Sequence, residues 1–208
     1  MSSQSSLQFI AQTNLPTVLG DLQVYAYRNE QTGQEPIAIV SKNLNIEESV
    51  PVRIHDACFT SEVLGSVKCD CNQQLQFAIQ YIQQSGGIIL YLHQEGRGIG
   101  LANKLAAYAL QEQGLDTVEA NLALHLPEDC RSYEDAADML QHLNVDKIQL
   151  LTNNPQKIEK LTSLGINITQ RIPIQPSFTQ HNHSYLQTKV EKMGHLINMA
   201  DPTHQDID

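Results

Sequence analysis

The chain has 208 residues, 41% of them hydrophobic, and a formal net charge of -10, which is enough length for one large domain with its own core. That acidity excludes a broad nucleic-acid or anionic-membrane surface, since both need a positive field, and leaves a small phosphorylated ligand open wherever basic residues gather. The longest apolar run is about five residues around Ile88 to Leu92, too short for a bilayer. The start MSSQSSLQFIAQ lacks the basic and apolar regions of a secretory signal, so a soluble, cytoplasmic chain is expected.

Leu22 to Arg28, Ile37 to Lys42 and Val50 to His55 are short Val-, Ile- and Tyr-rich segments, separated by EQTGQEP and NLNIEES, and read as strands. Leu75, Ala78, Ile79 and Ile82 follow helical spacing until Gly86-Gly87. GIILYLH is a buried strand that runs into the turn EGRGIG and a helix from about Leu101 to Gln113, stopped by Gly114. Tyr133, Ala136, Ala137 and Leu140 line another helix, and Lys147 to Thr152 form a strand. Asn154-Pro155 opens a helix closed by Gly165, followed by the strand INITQRI. Strand and helix alternate from Val50 to Ile172, which predicts an α/β fold with a mixed sheet and flanking helices. Residues 1–172 read as a zinc-containing catalytic α/β domain. Residues 173–208 read as a loop up to Ser184, a helix from Tyr185 to Met199 and a flexible acidic tail, ADPTHQDID.

Three of the four cysteines crowd between positions 58 and 71, as Cys58-FTSEVLGSVK-Cys69-Asp70-Cys71. With three committed to one metal, no disulfide framework remains. A Cys-x-Cys pair with a third cysteine upstream offers three soft thiolates to one cation and leaves a fourth position open for water, the arrangement of a hydrolytic zinc site. Cys130 stands far off; if it or His55 closed the shell, the zinc would be structural.

Further signals are weaker one by one. His93-Gln-Glu-Gly-Arg-Gly-Ile-Gly100 lies between strand and helix, where backbone amides and Arg97 can receive phosphate oxygens, and it reads equally as a tight turn. Asp129 and Arg131 sit two residues apart before a helix, a pair that alone suits a solvated ion pair. Lys157 in TNNPQK suits phosphate or water. By itself Tyr108 reads as a helix core residue, and Thr117 and Thr152 read as cap and strand residues.

Together, RIHDAC, KCDC, QEGRGIGLANK, AYALQEQGLDTVEAN, the Asp129/Arg131 pair, LLTNNPQK and YLQTKVEKMGHL resemble GTP cyclohydrolase II over about Val52 to Leu196. The resemblance implies a homodimer that binds GTP beside Zn2+, one per chain, and Mg2+ on the substrate phosphates. It implies that Cys58, Cys69 and Cys71 hold the zinc, whose water attacks C8 of guanine with loss of formate. Arg131 matches the residue proposed as nucleophile on the α-phosphorus, with release of pyrophosphate, and Asp129 the proposed proton acceptor; Tyr108 matches an active-site tyrosine. An arginine pKa above about 12 makes charge stabilisation an equally physical role for Arg131. By the same likeness, substrate binding falls on Arg53, Ile54, His55, Asp56, Gln74, Glu95, Gly96, Arg97, Thr117, Thr152 and Lys157. Glu95 suits the N1 and N2 edge of guanine.

The chain departs from the family's R-[VI]-H-S-E-C at Asp56 and Ala57. It also departs at Lys68, Asn72 and His93, and QPSFTQHNHS replaces a GRNPxN-like loop. These changes frame two alternatives: a paralogue acting on another nucleotide or pyrimidine, and a nucleotide-binding regulatory module with structural zinc.

Overall fold

The computed structural model describes residues 6–115, 117–127, 129–175 and 182–198. Seven strands join in one sheet, in the order β1-β2-β3-β5-β4-β6-β7, and a change of strand direction divides it. β1 (Leu7–Thr17), β2 (Gly20–Asn29) and β3 (Ile37–Ser41) are antiparallel neighbours, and β3 pairs antiparallel with β5 (Ile88–Leu92). From β5 onward the sheet is parallel through β4 (Val50–Asp56), β6 (Lys147–Leu151) and β7 (Asn167–Ile172). The mixed α/β sheet expected from the alternation of elements is therefore present. Parallel strands need crossovers, and the helices supply them.

Both faces of the parallel half are covered. Side chains of a strand alternate between faces, so Ile88, Leu90 and Leu92 of β5 enter one core with Val52 and Ile54, whereas Ile89 enters the other. The first core is closed by Ala136, Met139 and Leu140 of α5 (Glu134–His142) and by Leu161 of α6 (Pro155–Ser163). The second is closed by Ala78 and Ile82 of α2 (Cys71–Ser85). The four-residue α1 (Phe59–Glu62) precedes α2, and α3 (Leu101–Gln111) and α4 (Thr117–Ala123) lie between α2 and α5. Asn154 caps α6 by accepting from Gln156 N at 3.0 Å, with Pro155 at its first position, as the Asn-Pro pair predicts.

Four elements differ from the sequence reading, one of them the single-turn α1 after Cys58, which no periodicity announces. β1 precedes the first expected strand; it is exposed along nearly all its length, so no buried alternation announces it, and its ladder to β2 combines backbone pairing with the Phe9 ring against Tyr25 and Tyr27. α4 is likewise short and without a clear apolar stripe. The last helix, α7, spans His183–Met193 and does not reach Met199, because Gly194 adopts the left-handed conformation at φ 63° and ends it. Part of the expected loop (176–181) and the tail (199–208) lie outside the described residues. No described helix is long and apolar enough to cross a membrane.

Gly86 ends α2 at φ 75°, ψ 149°, where an added Cβ would lie 2.9 Å from the Asn43 carbonyl oxygen. Gly86→Ala is expected to lower stability by about 2 kcal/mol, which calorimetry reads as a fall in Tm of roughly 4–8 °C.

Candidate active site and metal centre

The carboxyl end of β4 distributes the site. With Val52 and Ile54 turned into the α5–α6 core, strand alternation turns Arg53 and His55 to the α2 side. Arg53 is buried and donates to the Leu151 carbonyl at 3.1 Å and to Gln74 Oε1 at 2.5 Å. His55 donates through Nε2 to Glu62 at 2.9 Å and stacks on Tyr91, and its Nδ1 is buried with no partner among the described residues. Burial lowers its pKa. Ile54 enters the site by its backbone alone: the side chain is core, and the carbonyl accepts from Lys157 Nζ at 2.9 Å.

Two residues past β4, Cys58 starts α1, while Cys69 and Cys71 flank the start of α2. The three sulfurs lie within 4.8 Å of one another, and Cys58 Sγ is 3.7 Å from Cys69 Sγ. A tetrahedral Zn2+ with bonds of about 2.3 Å holds its sulfurs about 3.8 Å apart, so this trio fits the ion. Hydrogen bonds from Cys69, Cys71 and Lys104 pull the Cys58 thiol down to a thiolate, and donating to Cys58 in turn pushes the Cys69 and Cys71 thiols up. Among the described residues no His, Cys, Asp or Glu joins as a fourth ligand. His55 is committed to Glu62, and Cys130 is exposed.

The glycine-rich turn supplies the next wall. Glu95 to Gly98 form a tight turn kinked at Gly96 and Arg97, both left-handed at φ 62°. Gly98 is required by what approaches it: a Cβ there would lie 2.9 Å from Cys130 Cβ, and Cys130 N donates to Arg97 O at 2.9 Å. Gln94 completes this junction with a two-way amide clasp on Ser132, 2.8 Å in each direction. The turn thereby fixes the segment carrying Asp129 and Arg131. Arg131 lies in a fork on Asp129, at 3.0 and 2.7 Å, and its third nitrogen donates to Asp56 at 2.9 Å. Lys157 of α6 donates to the same Asp56 oxygen at 2.9 Å.

A cavity of about 820 Å³ joins the cysteine trio to this charged group, a size within the usual range for nucleotide-scale ligands. Of the predicted site residues, Arg53, His55, Asp56 and Gln74 line it, as do Glu95, Gly96 and Arg97. So do the three cysteines, Tyr108, Asp129, Arg131, Thr152 and Lys157. Thr117 begins α4, but its side chain lies outside the described residues. Tyr108 is not a core residue: Lys104, Ala107, Tyr108 and Gln111 form the stripe of α3 that faces the cavity. Burial pushes the Tyr108 phenol up, so it stays protonated.

The cavity opposes the sign of the chain. Seven of the 13 lysines and arginines line it (Arg53, Arg97, Lys104, Arg131, Lys157, Lys160 and Lys189), against four acids among the described residues, Asp56, Glu95, Asp129 and Glu159. Burial raises the Asp56 carboxyl, but Lys157 and Arg131 overcome it and hold the pKa down at about 2. Burial lowers Lys157 to about 8 despite Asp56, with Arg53 and Arg131 adding repulsion. Burial also opposes the Arg131 charge, yet Asp129 and Asp56 raise its pKa above the ordinary arginine value.

Sequence reading missed three organising groups. Lys104 Nζ donates to Cys58 Sγ at 3.0 Å, Thr60 Oγ1 at 2.9 Å and Glu95 Oε1 at 2.7 Å. Glu62 accepts from Cys58 N and His55 at 2.9 Å and from Tyr91 at 2.7 Å, so a carboxylate reaches the metal loop although Ala57 provides none. Lys189 of α7 reaches Asp70 at 2.7 Å. Lys104 and Lys189 lie inside the motifs QEGRGIGLANK and YLQTKVEKMGHL, and helical spacing from Tyr108 would have put Lys104 on the same face. Among the departures, Ala57 lines the cavity, whereas His93 is exposed and does not.

A family model described as GTP cyclohydrolase II matches residues 8–173. The GTP cyclohydrolase-2 of Acinetobacter baylyi is 48% identical over 94% of this chain and 99% of its own length. That of Picrophilus torridus is 47% identical over 92% and 100%. The riboflavin biosynthesis protein RibBA of Staphylococcus saprophyticus is 46% identical over 94% of this chain, which spans 49% of that longer protein. Since the family match spans residues 8–173 and these relatives are 47–48% identical over more than nine-tenths of the chain, the chain belongs to the GTP cyclohydrolase II family of hydrolases.

Proposed function

We propose that this enzyme hydrolyses GTP, opening the imidazole ring of guanine and releasing formate and pyrophosphate. The product is a diaminopyrimidine ribosylamino 5′-phosphate, the first step of riboflavin biosynthesis. One observation carries the reading: a single cavity has a soft thiolate trio at one end and a convergent cation group at the other. A nucleoside triphosphate has the matching polarity, with a ring at one end and anionic oxygens at the other.

Held by Cys58, Cys69 and Cys71, Zn2+ would supply a Lewis acid and a water that ionises near neutral pH for attack at C8. Tyr108, a protonated phenol on the cavity face of α3, orients that water. Glu95 reads the guanine edge; Lys104 and the Phe59 amide hold its two oxygens in place and leave lone pairs for the base. His55, held by Glu62 and stacked on Tyr91, shapes the cavity wall beside the nucleoside. Arg53, Arg97, Thr152, Lys157 and the Gly96 backbone bind the phosphates with Mg2+, and Gln74, Asp56 and the Ile54 carbonyl hold those cations in position.

Arg131 acts as a fixed cation on the α-phosphate. A nucleophile would need a free nitrogen lone pair, and a guanidinium gripped by Asp129 and Asp56 is held in its charged form. Asp129, whose carboxyl burial raises but Arg131 holds low, stays a carboxylate and keeps that guanidinium charged and in place. Thr117 completes the substrate set. A homodimer belongs to the same proposal: β1 is one of the two outer strands of the sheet, with Phe9, Ile10 and Leu15 exposed where a second copy can cover them. The enzyme is placed in the cytoplasm, without nucleic-acid or membrane partners.

Incubation of the zinc-loaded protein with GTP and Mg2+ is expected to release formate and pyrophosphate in equal amounts, read by mass spectrometry; a metal-loaded sample that leaves GTP intact would sink the proposal. Arg131→Ala is expected to lower kcat by about 10²–10³, and quenched wild-type reactions should carry no guanylyl mass on the Arg131 peptide. Lys157 is a cation below its pKa of about 8, so kcat/KM for GTP should fall as pH rises through that value. Lys157→Arg, charged throughout, should flatten this limb.

A further inference from the structure

Asp70 stands between two of the metal-site cysteines and is fully buried. A carboxylate there adds a further negative charge beside three sulfurs, and a buried charge persists only where it is paired and hydrogen-bonded. Both of its oxygens are occupied. Oδ2 accepts from Gln74 at 2.5 Å, and Gln74 in turn accepts from Arg53. Oδ1 accepts from Lys189 Nζ at 2.7 Å, across 119 positions of sequence. The Lys189 side chain is itself buried, with its ammonium 4.6 Å over the ring of Tyr185.

Lys189 belongs to α7, an 11-residue helix. Isolated helices shorter than about 12–15 residues are marginal in water, so α7 depends on what it docks against. Besides the ion pair, Leu186 is buried with Ile197 in a small core of its own, and Leu196 N donates to Asn153 O at 2.9 Å. The docked segment forms one wall of the substrate cavity through Tyr185, Lys189, Met193 and His195.

We propose that Lys189 is a positioning residue that couples metal binding at the thiolate trio to the seating of α7 as a wall of the substrate cavity. This rests on the reading of Cys58, Cys69 and Cys71 as the zinc ligands. A metal that fixes the Cys69-Asp70-Cys71 loop presents Asp70 to Lys189, and a docked Lys189 holds the loop in its ligating shape. Because the two events share one ion pair, each favours the other by the same factor.

Hydrogen exchange of residues 183–193, measured on the full chain with zinc and after chelation, tests the coupling without any substitution, and competition with a chromophoric chelator gives the zinc affinity. In the wild type, removal of zinc should accelerate exchange across α7. In Lys189→Met the helix should exchange fast whether or not zinc is present, and zinc affinity should fall about 10-fold or more; Lys189→Arg, which keeps the charge, should restore both. Wild-type α7 exchange that is indifferent to zinc overturns the coupling, as does a folded Lys189→Met protein with unchanged zinc affinity. A wild type that binds no zinc at all in the competition assay defeats instead the metal reading beneath it.

Discussion

Asp56 holds two cations that would otherwise repel one another in a poorly hydrated pocket. Lys157 and Arg131 approach a single oxygen of that carboxylate, each at 2.9 Å, and Arg53 lies close enough to add its own repulsion to Lys157. Without a shared counter-charge, desolvation and mutual repulsion would neutralise Lys157 or expel one partner. With it, the guanidinium and the ammonium keep fixed positions before any phosphate arrives. Such preorganised charge needs no rearrangement when negative charge develops during the reaction.

The cation cluster and the thiolate trio are not independent halves. Lys104 touches Cys58 sulfur with the same ammonium that grips Glu95, so the group proposed to read guanine is tied to a metal ligand. On the other side Glu62 ties the Cys58 amide to His55 and Tyr91, the ends of two adjacent parallel strands. These links run through charged hydrogen bonds in a site of low dielectric, where each is stronger than at a solvated surface. A shift of the metal loop is therefore felt by both the base-reading and the ring-stacking residues.

The chain's acidity and its cationic cavity are compatible because net charge and local field are separate quantities. Among the described residues most acids are exposed, while the cavity collects more than half of the basic side chains. Whatever the net charge, a concave basic site focuses positive potential on a small phosphorylated ligand.

The alternation of apolar segments with helical stripes, the Asn-Pro helix start and the glycine stops were all readable from order alone, because they depend on neighbours within a few positions. So were the three clustered cysteines. β1 escaped because an exposed edge strand carries no buried face, and α4 because so short a helix carries no stripe. The sequence by itself determined which residue types were available and that the trio and the basic motifs belong to one family. Only the tertiary structure decided that Asp56 serves Lys157 and Arg131 together, that Tyr108 faces the cavity instead of the core, and that Lys189 closes on Asp70. The reason is physical: those pairings join positions scores of residues apart, and what brings them within 3 Å is the parallel sheet with the alternation of β4 for Asp56, and the docking of α7 for Lys189, not any local propensity.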